Sequence, residues 1–212
     1  MTHAIFDAAF AACPLIAVLG GVRPDEVVAA GEALVAAGIH ILEVPLTTPD
    51  AYESITRLSA LASDNIMIGA GGVLDIDSVQ RVVAAGGGMV GSPGTDAAII
   101  AETVAAGLAA VPGIFTPSEA MTAIAAGADA LRFFPAEAGS PAVVRALRSV
   151  LPRTVPLLAM GGMTADGIGA WSAAGADGFV IGTAMFGPGM TTDDMGAAAA
   201  RLVAAMAAER DQ

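Results

Sequence analysis

Short aliphatic runs alternate with longer alanine-rich or amphipathic stretches along the whole chain. Strands are predicted over 15–19, 39–44, 66–70, 89–90, 108–111, 130–134, 155–160 and 178–181. Helices are predicted over 24–37, 49–61, 75–85, 95–106, 117–126, 141–150 and 164–174, with a last one ending near Arg210. Ala-Ala-Gly triplets place Gly38, Gly86, Gly107, Gly127 and Gly175 just past helix ends, where a left-handed residue closes the last turn. Thr or Asp opens several of the helices, and Thr116-Pro-Ser-Glu119 has the spacing of a capping box. The opening MTHAIFDAAFAACP is interrupted by Asp7 and has no basic start, so it reads as a short amphipathic helix rather than a signal peptide.

Strands that alternate with helices imply parallel pairing with right-handed crossovers, and eight units are the number that closes a barrel. Residues 1–212 are therefore expected to form one (β/α)8 barrel domain with an extra N-terminal helix. An open doubly wound sheet is the alternative; it is disfavoured because LGGVRP after the first strand lacks the G-x-G-x-x-G spacing. In a barrel the reacting groups stand at the C-terminal ends of the strands.

Composition narrows the partners. Of 212 residues 55% are apolar, 14% charged and 4% aromatic, so the core is aliphatic. The charge of −12 argues against nucleic acid and anionic membranes, which need a Lys/Arg patch. No run is long enough without Gly or charge to span a bilayer. All nine cationic residues are arginines, which excludes any mechanism needing a lysine amine. Cys13 is the sole cysteine and is expected to be buried, so no disulfide forms and a reducing, cytoplasmic setting fits. Two isolated histidines, His3 and His40, and no second carboxylate near Glu43 make no metal site, and no cofactor is implied.

Two charges stand at the strand ends, Glu43 in ILEVPL and Arg132 in ALRFFP. They read either as a structural ion pair or as a general base with a guanidinium that steadies an anion. Gly161-Gly162 and Gly182-Thr183 close the last two strands, where unhindered backbone N–H groups can cradle a phosphate; the plainer reading is tight turns.

The stretches PLIAVL at 14–19, EVPLTTP at 43–49, VPGIFTPSEA at 111–120, FFPAE at 133–137 and GGMTADGIGAWSAAGADGFVIGTA at 161–184 resemble the 2-keto-3-deoxy-6-phosphogluconate and 2-keto-3-deoxy-6-phosphogalactonate aldolases over nearly the whole length. The tail AGADGFVIGTAMFGPG favours the phosphogalactonate branch. The resemblance implies a homotrimer without metal that cleaves a phosphorylated 2-keto-3-deoxy sugar acid to pyruvate and glyceraldehyde 3-phosphate through a lysine Schiff base. By it, Glu43 matches the acid/base glutamate, Gly161, Gly162 and Thr183 match the phosphate site, and Pro93 and Phe134 match pocket walls; Gly182 is a further candidate for the phosphate end and Met160 for the pocket.

Four positions depart from the family pattern. Arg132 stands where the Schiff-base lysine is expected, and a guanidinium cannot supply the neutral amine that an imine needs. Gly20 replaces an arginine that grips the pyruvate carboxylate, Gly72 a threonine, and Gly91 an aliphatic residue. Together they imply an enlarged pocket with the native class I activity lost, by natural divergence or by engineering. Imine-free carbon-acid chemistry using Glu43 and Arg132 is one expectation for such a chain; an inactive sugar-phosphate binder or a trimeric scaffold is the other.

Overall fold

The computed structural model describes residues 2–187 and 189–210. Eight parallel strands close in chain order: β1 (Leu15–Val18), β2 (Ile41–Pro45), β3 (Met67–Gly71), β4 (Met89–Ser92), β5 (Ala109–Ile114), β6 (Leu131–Phe133), β7 (Leu157–Met160) and β8 (Gly178–Ile181). β8 pairs back to β1 through Ile16↔Val180, so the barrel expected from the eight repeats is present and the open sheet is excluded. The first helix, α1 (Thr2–Ala12), precedes β1. The outer ring is α2 (Val27–Ala36), α3 (Ala51–Leu58), α4 (Ile76–Ala84), α5 (Ala97–Ala105), α6 (Pro117–Ala125), α7 (Pro141–Arg148), α8 (Ile168–Ala173) and α9 (Thr192–Arg210).

The local signals act as expected. The five glycines of the Ala-Ala-Gly triplets all take positive φ, between 78° and 104°. At the start of α6 the Thr116 hydroxyl accepts from the Glu119 N–H while the Glu119 carboxylate accepts from the Thr116 N–H, a complete capping box. Boundaries shift where loop chemistry intervenes: β7 begins at Leu157 rather than 155, because the Val155 carbonyl is taken by Arg148. The 164–174 helix is split into a short 3-10 turn at Ala165–Gly167 and α8.

Strand side chains alternate between two apolar clusters, as a period of two requires. Leu15, Leu42, Ile68, Val90, Leu131, Leu157 and Phe179 face the helices, while Ile16, Ile41, Met67, Met89, Leu158 and Val180 fill the barrel. The barrel's N-terminal end is plugged by α1, whose Phe6 and Ala9 join the interior cluster, and His3 pairs with Asp129 to fasten it. No helix is long and apolar enough to cross a membrane among the described residues.

Candidate active site

The alternation that sends Ile41 and Ala130 inward also sends Glu43 and Arg132 inward, two residues further along β2 and β6. Their guanidinium and carboxylate meet at the centre: Arg132 Nη2 donates to Glu43 Oε2 at 2.7 Å, and Nη1 to Oε1 at 3.1 Å. Each residue is 1% exposed. Two parallel bonds between ionised groups are the strong form of such a contact. Arg132 Nη1 also lies 3.7 Å from Met160 Sδ, and its buried Nε has no acceptor.

Two glycines make space for this pair. A Cβ on Gly71 would fall 2.1 Å from Glu43 Oε1, and one on Gly91 would fall 2.3 Å from Arg132 Nη2 and 2.6 Å from Cζ. The expectation that Gly91 enlarges a pocket is therefore corrected, because the volume of the missing side chain is taken by the Arg132 guanidinium. The reason is layer packing: a long forked side chain on β6 needs its inward neighbour two strands away to have none. Gly20 and Gly72 differ, since a Cβ at either would meet nothing within 4 Å. Gly72 also has φ +68°, a conformation that disfavours a branched side chain such as threonine.

At the C-terminal ends of β7 and β8, a cavity of about 250 Å³ is lined by Gly161, Gly162, Gly182, Thr183, Phe134 and Met160, together with Val18. Thus six sequence-predicted residues meet there, on the mouth side of the Glu43–Arg132 pair. Gly161 and Gly162 have φ of +113° and +65°, which turns the chain sharply after β7. Glu137 also lines this cavity: its Oε2 would lie 2.7 Å from a Cβ on Gly161. Sequence reasoning missed Glu137 as a site residue, although it stood inside the FFPAE stretch; only the turn at Ala136–Ala138 carries it across to β7.

The remaining predicted residues go elsewhere. Gly20 lines a separate groove of about 460 Å³ with Arg23, Glu26, Phe186 and Met190, outside the β7–β8 cavity. Pro93 is exposed in the β4 loop, with its carbonyl packed over Gly113, and does not line that cavity either. The β1 and β2 loops are tied by the buried Thr48 hydroxyl, which accepts from the Gly21 N–H at 3.1 Å. Cys13 is buried, and burial raises its thiol above the ordinary value. Among the described residues no group of three or more His, Cys, Asp or Glu could hold a metal.

The comparisons with known proteins agree with this architecture. The chain is 35% identical over 192 residues to the 2-dehydro-3-deoxy-6-phosphogalactonate aldolase of Escherichia coli (strain K12), covering 91% of this chain and 94% of that one. The solved "Native KDPGal structure" superposes with a TM-score of 0.91 at 34% identity, covering 94% of this chain and 97% of that one. The 2-keto-3-deoxy-6-phosphogluconate aldolase of Zymomonas mobilis ZM4, solved with 3-phosphoglycerate, gives 0.84 at 27% identity, with 96% and 97% covered. The family model "Aldolase: KDPG and KHG aldolase" matches residues 6–200. With nearly the whole barrel matched both in sequence and in shape, the chain belongs to the KDPG and KHG aldolase family.

Proposed function

We propose that this protein acts on a phosphorylated 2-keto-3-deoxy sugar acid of the kind its relatives are named for, without forming an imine. The phosphate sits at the β7–β8 end, against Gly161, Gly162, Gly182 and Thr183, and the keto-acid end approaches Arg132. The observation that carries the reading is the closed pair at the barrel centre, where Arg132 holds Glu43 by two bonds. A keto-acid carboxylate or enolate oxygen is the same kind of ligand as the Glu43 carboxylate, so it can replace Glu43 on the guanidinium. That exchange frees Glu43 to take the proton from the carbon beside the ketone; the electron pair moves to the carbonyl oxygen, and Arg132 donors steady the enolate. The buried Nε–H of Arg132, which has no acceptor, supplies a further donor for that oxygen.

A second reading, an inactive sugar-phosphate binder, is favoured by the burial of both charges at 1%. Proton exchange separates the two. In D₂O the protein should exchange the methyl protons of pyruvate for deuterium, followed by NMR, and Glu43→Gln should slow this by about 100- to 10,000-fold. Borohydride with pyruvate should trap no adduct at position 132, whereas Arg132→Lys with Gly20→Arg should restore trapping. Absence of exchange supports the binder instead, and a reduced pyruvate adduct on Arg132 overturns both readings.

A further inference from the structure

At the opposite end of the barrel from the mouth, a groove of about 480 Å³ runs between the C-terminal ends of α7 and α8. Three of the chain's nine cationic side chains line it, Arg145, Arg148 and Arg153. In a protein of net charge −12 that concentration needs a reason.

Arg148 has a structural one. It is buried, donates from Nε to the Gly175 carbonyl at 2.8 Å and from Nη1 to the Val155 carbonyl at 3.1 Å, and pairs with Asp177. It clasps the turns before β7 and β8 and forms the floor of the groove. Arg145 and Arg153 have no such role: both are exposed, and among the described residues neither has a carboxylate partner. Burial first, and the neighbouring Arg153 second, pull the Arg148 guanidinium down to about 10, so part of the repulsion among these cations is unrelieved.

No carboxylate is among the described residues that line the groove; Asp177, paired with Arg148 on its floor, and the C-terminal dipole ends of α7 and α8, each worth roughly half a charge at most, stand against three guanidinium charges. The groove stays positive. It also holds an unused donor, because the buried Ser172 Oγ that lines it has no hydrogen-bond partner.

We infer that this groove is an anion site, separate from the barrel mouth, that takes a diphosphate group between Arg145 and Arg153 with Ser172 beneath. Planar guanidinium forks match phosphate oxygens in pairs, and two unpaired forks across one groove match two adjacent phosphates. The volume lies within the range of small-ligand sites and exceeds what inorganic phosphate fills, so a diphosphate joined to an organic body also fits. Because the groove lies away from the β7–β8 cavity, the inference stands or falls independently of the proposed reaction.

Calorimetric titration of the full chain at low ionic strength, with sodium pyrophosphate and with ADP as probes, tests it. Both should bind saturably; equal affinity points to a free diphosphate as the natural ligand, and tighter ADP binding to a diphosphate with an organic body. Arg145→Ala and Arg153→Ala should each weaken binding about tenfold, as the loss of a charge-assisted bond pair does, with unchanged circular dichroism. Arg201→Ala on α9 removes the same charge from a residue that does not line the groove, so no direct bond to the ligand is lost and affinity should change less than about twofold. No saturable heat from either probe at about 1 mM, binding that survives in the Arg145 and Arg153 variants, or equal weakening by Arg201→Ala overturns the inference.

Discussion

Gly91→Ala is the smallest change that tests how the barrel centre is built. The new methyl carbon would fall 2.3 Å from Arg132 Nη2, 2.6 Å from Cζ and 2.7 Å from Nη1, so it strikes the whole fork rather than a flexible tip. Ordinary contact begins at 3.4 Å, and the guanidinium must retreat by about 1.1 Å to reach it. A shift of that size is larger than the margin between the 2.7 Å bond to Glu43 Oε2 and a contact beyond 3.5 Å, so at least one of the two bonds is lost. Overpacking costs about 1–3 kcal/mol, and full rupture of a buried pair about 3–5 kcal/mol, so the expected destabilisation is about 2–4 kcal/mol. Lysine at 132 has a slim terminus without a fork, and in the Arg132→Lys background the same methyl should cost less than about 1 kcal/mol. The assay is urea unfolding followed by circular dichroism at fixed protein concentration, with midpoints compared at unchanged m-value. A coupling of about 1–3 kcal/mol in the double-mutant cycle is expected; additivity within about 0.5 kcal/mol would refute the claim that position 91 is empty because Arg132 fills it.

Glu119 is held below its ordinary value, first by the Phe115 N–H and then by its bonds to Thr116. A carboxyl with a lowered folded pKa contributes stability that is fully present above 4.5 and is lost as pH falls through the folded value, so Glu119→Gln should flatten the acid limb of a stability–pH curve below pH 4.5 and leave its shape near pH 7 unaltered. The chain should also associate as a trimer, with light scattering giving three times the 20.8 kDa chain mass; a monomer across micromolar concentrations contradicts this.

Most of the architecture was legible in the order of residues, because it follows from local periodicity. Eight aliphatic runs, each followed by a helical stretch and five of those stretches closed by glycine, specify parallel crossovers, and the capping box at Thr116 and Glu119 depends only on neighbours three residues apart. The candidate residues Glu43 and Arg132 were visible for a similar reason: a charge in an apolar strand is costly enough to demand a partner or a task. Strand ends carry less information, since the β7 start depends on whether the Val155 carbonyl is captured by Arg148 from another element.

What the tertiary structure alone decided is where each volume lies. Gly91 and Gly20 look alike along the chain, yet one is filled by a guanidinium from β6, forty-one positions away, and the other faces open space. Closure of the barrel sets that difference, because it brings side chains from β2, β4 and β6 into one layer whose total volume is shared. The same closure joins Glu137 to Gly161 at the mouth, and packing of α7 beside α8 gathers the three arginines at the far end. Sequence determines which groups are present and which face they take; only the folded ring determines which of them compete for the same space.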